Sequence, residues 1–452
     1  MTYVFLRDLG QFATLQIDAV MLWTGVADSD YVFCSQKGKS ALEHTDRGRQ
    51  ATSLDPRSLQ DQLLYPHACF TALREKHGPL MYNNAARFWE AFDYELVHLI
   101  ANQHELFSSD SVKYAAERSV DEFQSMLNTD PPRHRQLRSL VSQAFTPRTL
   151  AQLAPRIAEI TQSLLDDVIE RGRMDVIADL SFPLPVIVIA ELLGVPSEDR
   201  VQFKQWSDEL VMGEYGEFAS EEREEYERRA RERFRKTLDT IYDYFRVVIA
   251  QRRREPRHDL ISELIAAQIE GEYLTEQELL SFCALLLVAG NITTTNLIGN
   301  AILCFDEHPE VMDRLRREPD FIPAAIEEVL RYRSPVTGIG RFATQDIILR
   351  DRHIRPGDFV IGWVACANHD PEQFPEPGTF DITRTPNRHV SFGHGIHFCL
   401  GAPLARLETK IALNIMLERM HALQRNHDLP LPPVHSSFIY GAKSLPILFE
   451  ER

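Results

Sequence analysis

Cys399 stands in the decapeptide Phe392-Gly-His-Gly-Ile-His-Phe-Cys-Leu-Gly401. Gly393, Gly395 and Gly401 frame it, and His397 precedes it by two residues. Cysteine acts as a ligand or nucleophile in its thiolate form, and glycine turns let backbone N–H groups come close to a sulfur. Leu400-Gly401-Ala402 predicts the start of a helix, whose N-terminal partial positive charge favours thiolate over thiol. Gly401 would let that helix lie close against a flat cofactor. An ordinary core cysteine needs neither the turn glycines nor His397. Zinc is excluded, because no second cysteine or histidine pair stands at finger-like spacing around Cys399.

A second segment runs from Phe282 to Asn296 and includes Ala289, Gly290, Asn291, Ile292 and Thr293. Ala289 and Thr293 are four apart and share a helix face, so a gap beside the alanine would receive the threonine hydroxyl. Thr293 could instead bond a carbonyl in the preceding turn and bend the helix. The plain alternative is a buried helix that tolerates three threonines.

Asp130-Pro-Pro-Arg-His134-Arg-Gln-Leu-Arg138 places His134 and Arg138 one helical turn apart, a cationic pair able to grip an anion. Glu328 and Arg331 are spaced for a charge-assisted pair on one helix.

Several elements must position these groups. Thr275 and Glu278 form a capping box, predicting a helix from there to His308, roughly 50 Å long. Helical patterning also covers Leu150 to Arg171 and Glu224 to Arg254. Short strands are predicted at Arg341–Ala343, Ile347–Leu349 and Phe359–Ile361, separated by turn signals such as Arg355-Pro356-Gly357. Residues 370–378 read as an irregular loop. Residues 1–53 read as a poorly ordered extension, and residues 54–452 as one mostly helical domain.

Hydrophobic residues make up 44% of the 452 and charged residues 25%, the balance of a globular protein with a sizeable core. A net charge of −17 excludes a basic nucleic-acid binder. The six cysteines lack framework spacing, which predicts a reduced, cytoplasmic protein. Phe282 to Gly290, the best apolar stretch, is short of the ~20 residues of a membrane span.

These segments together resemble the cytochrome P450 monooxygenases, in particular their soluble bacterial branch, over roughly residues 54–452. The resemblance implies a mainly α fold with a small β subdomain and haem b between a long distal helix and the cysteine loop. Cys399 then corresponds to the axial iron ligand, with Phe392 and Gly401 among the loop's cofactor contacts. His134, Arg138, Arg341 and His397 correspond to the propionate contacts. Glu328, Arg331 and Arg384 correspond to a structural lock behind the haem. Thr293, with Ala289 and Asn291, corresponds to the site that handles O2 and relays protons to it. The family usually places an acid just before that threonine. Here Ile292 occupies the position, so Asn291 or Thr294 with water would have to substitute.

The resemblance further implies a monomer that takes electrons from a ferredoxin or flavodoxin and its reductase. Its substrate would be a lipophilic fatty acid, terpenoid, steroid or polyketide. By position, Phe107 to Lys113, Val211, Leu286, Ala289, Val336 to Ile339 and Phe438-Ile439 would contact it. A haem-thiolate enzyme that uses peroxide or rearranges its substrate, and a non-catalytic haem carrier, are the competing readings.

Overall fold

The computed structural model describes residues 63–451 except 85, 115–124, 212–222, 270–271, 435 and 437; the extension 1–53 lies outside the described residues. The predicted capping box forms. Thr275 Oγ1 accepts from the Glu278 amide at 3.2 Å, and Glu278 Oε2 accepts from the Thr275 amide at 2.9 Å. The helix it starts spans Glu276–Glu307, and Pro309 opens the next helix.

That helix is apolar almost all round, which makes it a core element. Its length and composition would allow it to cross a membrane, but most of its apolar stretch is buried inside the protein. The sequence reading placed the apolar limit at Gly290. The structure shows Ile292 buried before the threonines and Leu297–Phe305 continuing the buried run beyond them.

Helices Pro147–Asp166, Pro183–Leu193, Arg223–Arg254, Ile322–Tyr332 and Ala402–Arg419 pack around this axis and share one large core. One junction is dictated by proline. In a regular helix the Ser181 carbonyl would accept from the amide of residue 185, but Pro185 has none. Thr295 Oγ1 of the central helix donates to that carbonyl instead, at 2.9 Å.

The predicted strands form as Ile339–Ala343, Ile347–Leu349 and Phe359–Gly362. The first and third belong to a five-stranded sheet with Leu80–Asn83, Phe88–Ala91 and Phe107–Ser108. Phe88–Ala91 is buried at every position, so it lacks the alternation by which a half-exposed strand is read. A three-stranded sheet joins Met420–Arg425, Pro446–Glu451 and Arg173–Asp175, a segment also absent from the sequence expectation. The protein is mainly α with small β subdomains.

Candidate active site

The loop before Cys399 takes its shape from two glycines. Gly393 and Gly395 have φ of 69° and 67°, the left-handed region that glycine adopts without strain. A Cβ on Gly395 would sit 3.0 Å from Cα of Asn102, so the loop presses on the end of helix Tyr94–Asn102. The Cys399 amide donates to the Phe392 carbonyl at 2.9 Å and closes the loop.

Ala402–Arg419 follows with Gly401 at its N-cap, as predicted. The sulfur remains accessible although protein surrounds it. Burial pushes the thiol up from its ordinary value; the amides of Gly401 and Ala402, then Arg138 and Arg406, pull the other way. The N–H groups that reach the sulfur are therefore those after Cys399, not those of Gly393 and Gly395. A Cβ on Gly401 would meet no protein atom within 4 Å.

Behind the loop, Arg331 grips Glu328 through two hydrogen bonds of 2.9 and 2.8 Å, both side chains fully buried. Arg331 also donates to the carbonyls of Asn368, Pro377 and Thr379 at 3.0, 2.8 and 2.9 Å. Arg384 Nε reaches Glu328 at 3.3 Å, and Asn387 Nδ2 donates to it at 3.0 Å. Removing one partner of such a pair costs about 3–5 kcal/mol, because the other charge is left buried. Asn387 was not singled out in the sequence, since nothing in its spacing marks it.

On the central helix, every residue from Leu279 to Phe305 is buried except Val288, Ala289, Gly290 and Thr293. Thr293 Oγ1 donates to the Ala289 carbonyl at 2.9 Å, the back-bond anticipated from the sequence. Its proton is thus committed to the helix, and its oxygen lone pairs remain for a partner at the opening. Asn291 does not join them. It is fully buried, with Thr295 Oγ1 3.3 Å from its Oδ1, at the junction with Ser181. Ile292 and Thr294 are buried as well. Being one or two residues from Thr293 turns a side chain by ~100° per residue, away from the opening.

Of the positions assigned to substrate contact, Val336 bridges Ile439 and the Thr337 amide donates to the Phe438 carbonyl at 3.0 Å. The two apolar segments therefore form one wall. Phe107 and Leu286 are buried, and nothing of the Val211 side chain is described.

His134, Arg138, Arg341 and His397 come together as expected. The rings of His134 and His397 lie 4.3 Å apart, and Arg138 Nη2 donates to the Phe398 carbonyl at 2.6 Å. The structure corrects the charge assigned to His134. Burial first, then Arg138, lower its pKa to about 4, so the ring is neutral at pH 7. Burial and Arg341 lower His397 to about 2, and burial lowers Arg341 to about 10. His104 adds to both histidine shifts and was missed in the sequence, where a lone histidine carries no pattern.

Nε2 of His134 and Nε2 of His397 are buried without a hydrogen-bond partner. Asp130, the acid that opposes these charges, already accepts from the Ser108 hydroxyl and the Ser109 amide. Buried donors beside two guanidinium groups call for an anion. The carboxylates of a haem fit this cluster, and the accessible Cys399 sulfur fits its iron.

This is the architecture of a haem-thiolate protein. The chain matches the Cytochrome P450 family over residues 62–448 and belongs to that family. It is 43% identical to "Cytochrome P450 109" of Bacillus spizizenii over 85% of this chain and 92% of that one. The crystal structure of CYP109E1 from Bacillus megaterium in complex with corticosterone superposes with a TM-score of 0.77. It is 39% identical and covers 86% of this chain and 99% of its own. P450BioI in complex with hexadec-9Z-enoic acid ligated to acyl carrier protein gives a TM-score of 0.78. It is 38% identical and covers 87% of this chain and 100% of its own. The protein is a haem-dependent monooxygenase.

Proposed function

We propose that Cys399 is the axial ligand of the haem and that the enzyme inserts one oxygen atom of O2 into a lipophilic small molecule. The observation that carries this reading is the opening on the central helix. In a stretch buried from Leu279 to Phe305, only Val288–Gly290 and Thr293 are accessible, and they combine a small apolar surface with one hydroxyl.

When bound, a thiolate-ligated haem supplies electron density that favours O–O cleavage. The chain's own residues do the rest. Arg138, Arg341 and the unpartnered nitrogens of His134 and His397 would hold the propionates. The amides of Gly401 and Ala402 favour the Cys399 thiolate and oppose the burial that raises its pKa. Ala289 leaves the helix surface open beside Thr293, whose Oγ1 could accept a hydrogen bond there while its own proton stays on the Ala289 carbonyl. The wall formed by Val336–Ile339 and Phe438-Ile439 excludes water and favours an apolar guest.

Two relatives hold a steroid and a fatty acyl chain, according to their descriptions, which supports the same substrate class here. Electrons come from a separate ferredoxin or flavodoxin docking on the Cys399 side. Among the described residues, Cys283, Cys304 and Cys366 are buried free thiols, which suits the cytoplasm. One observation favours a peroxide-driven variant of the chemistry: Ile292 is buried and apolar where an acid would deliver protons.

The test is a titration of the haem-loaded protein with fatty acids, terpenoids and steroids, following the Soret band. A saturable shift toward high spin with at least one class is expected. Loaded protein that answers none of them contradicts the lipophilic-substrate assignment.

A further inference from the structure

Arg406 lies seven residues beyond Cys399, on the helix that Cys399 leads into. Its guanidinium sits over the Phe392 ring, 4.4 Å from the centroid. The same guanidinium donates to both oxygens of Glu327, at 2.7 and 2.8 Å. His389 Nε2 lies 3.1 Å from Glu327 as well, and the His389 ring is 6.1 Å from Phe392. Phe392 in turn holds the Cys399 amide through its carbonyl. A continuous path of contacts therefore runs from Glu327 through Arg406 and Phe392 to the sulfur-bearing residue.

The buried lock next to it is built differently. Glu328 and Arg331 are fully enclosed and bond to the backbone around residues 368–381. Glu327 and Arg406 keep about a third of their side-chain surface, and Arg406 is one of the groups that oppose the rise in the Cys399 pKa caused by burial. Burial alone would raise the Glu327 carboxyl, but Arg406 and His389 hold it at about 2, so it stays ionised. The pair thus holds a positive charge on the face of Phe392, whose carbonyl accepts the Cys399 amide, with the negative charge of Glu327 hydrogen-bonded to that guanidinium.

We propose that the Glu327–Arg406 pair is a positioning and charge-setting device, with Arg406 drawing electron density from the Cys399 thiolate and Glu327 moderating that pull. The inference rests on the reading of Cys399 as the iron ligand. A cation near a thiolate weakens its donation, so it favours the reduced iron; removing the cation favours the oxidised iron.

The two partners therefore predict opposite effects. In the haem-loaded protein, Arg406→Gln shifts the ferric/ferrous potential in the negative direction. Glu327→Gln leaves Arg406 unmoderated and shifts it in the positive direction. Arg406→Lys keeps the charge but loses the paired hydrogen bonds and the fit on Phe392, and it stays closer to the unaltered protein than Arg406→Gln does. Potentials are read by spectroelectrochemistry, with the Soret band of the reduced carbon monoxide complex recorded for each variant.

A merely structural pair would act otherwise. Both neutralised variants would then shift the potential in the same direction, or lose haem while the loaded fraction kept the parent potential. Either result overturns the proposal. If the unaltered protein lacks a thiolate-type carbon monoxide band, the assignment of Cys399 itself fails. If that band is present and the potentials do not move oppositely, only the Glu327–Arg406 inference fails.

Discussion

His134 and His397 show how a site anticipates its ligand. In each ring Nε2 is buried without a partner, and burial and the arginines beside it lower the pKa so that the ring is neutral. In the unfolded chain both would titrate near the ordinary value of 6.5. Folded pKa values below the unfolded ones mean that the unfolded state binds more protons below pH 6.5. The haem-free protein is therefore expected to be fully stable above about pH 6.5 and to lose stability as pH falls toward about 4. Propionates beside the rings would favour their protonated forms, so loading with haem should flatten that dependence. Urea melts of the two forms across this window check it. An equal slope with and without haem would contradict the assignment of these residues to the propionates.

Among the elements, the central helix decides most of the chemistry. Its capping box and its length were legible in the sequence, because both depend on local spacing. The bond from Thr293 to Ala289 was legible for the same reason. The role of Asn291 was not. Helical phase allows two faces, and only packing against Ser181 and Thr295 shows which one Asn291 occupies. The strand Phe88–Ala91 was missed because it is buried throughout and lacks alternation, although one partner, Leu80–Asn83, is close in the chain. Pro446–Glu451 was missed because its partners Met420–Arg425 and Arg173–Asp175 are not local. The Glu327–Arg406 pair was missed likewise, as its partners are 79 residues apart. Ile292 is buried beside Thr293 and carries no titratable proton, so on the proposed O2 chemistry proton delivery would be the weak step of this helix. Ile292→Glu is expected to raise the product formed per electron consumed, and Ile292→Gln, of similar shape, is expected not to. Equal coupling in both variants would favour the peroxide-driven chemistry.

Across the whole molecule, residues distant in the chain converge on one cluster suited to an anion. His134 and Arg138 come from one helix, Arg341 from the five-stranded sheet, and His397 and Cys399 from the glycine-shaped loop. Each helical or loop motif could be read locally, and the family resemblance supplied their convergence. The five-stranded order that carries Arg341 into the cluster became visible only in the fold.

The most direct test of the account is the carbon monoxide spectrum of the reduced, haem-loaded protein, taken for the unaltered chain and for Cys399→Ser. The account predicts a thiolate-type Soret band in the first and its loss in the second, with haem still bound through the His134, Arg138, Arg341 and His397 cluster. A thiolate-type band that survives Cys399→Ser would contradict it.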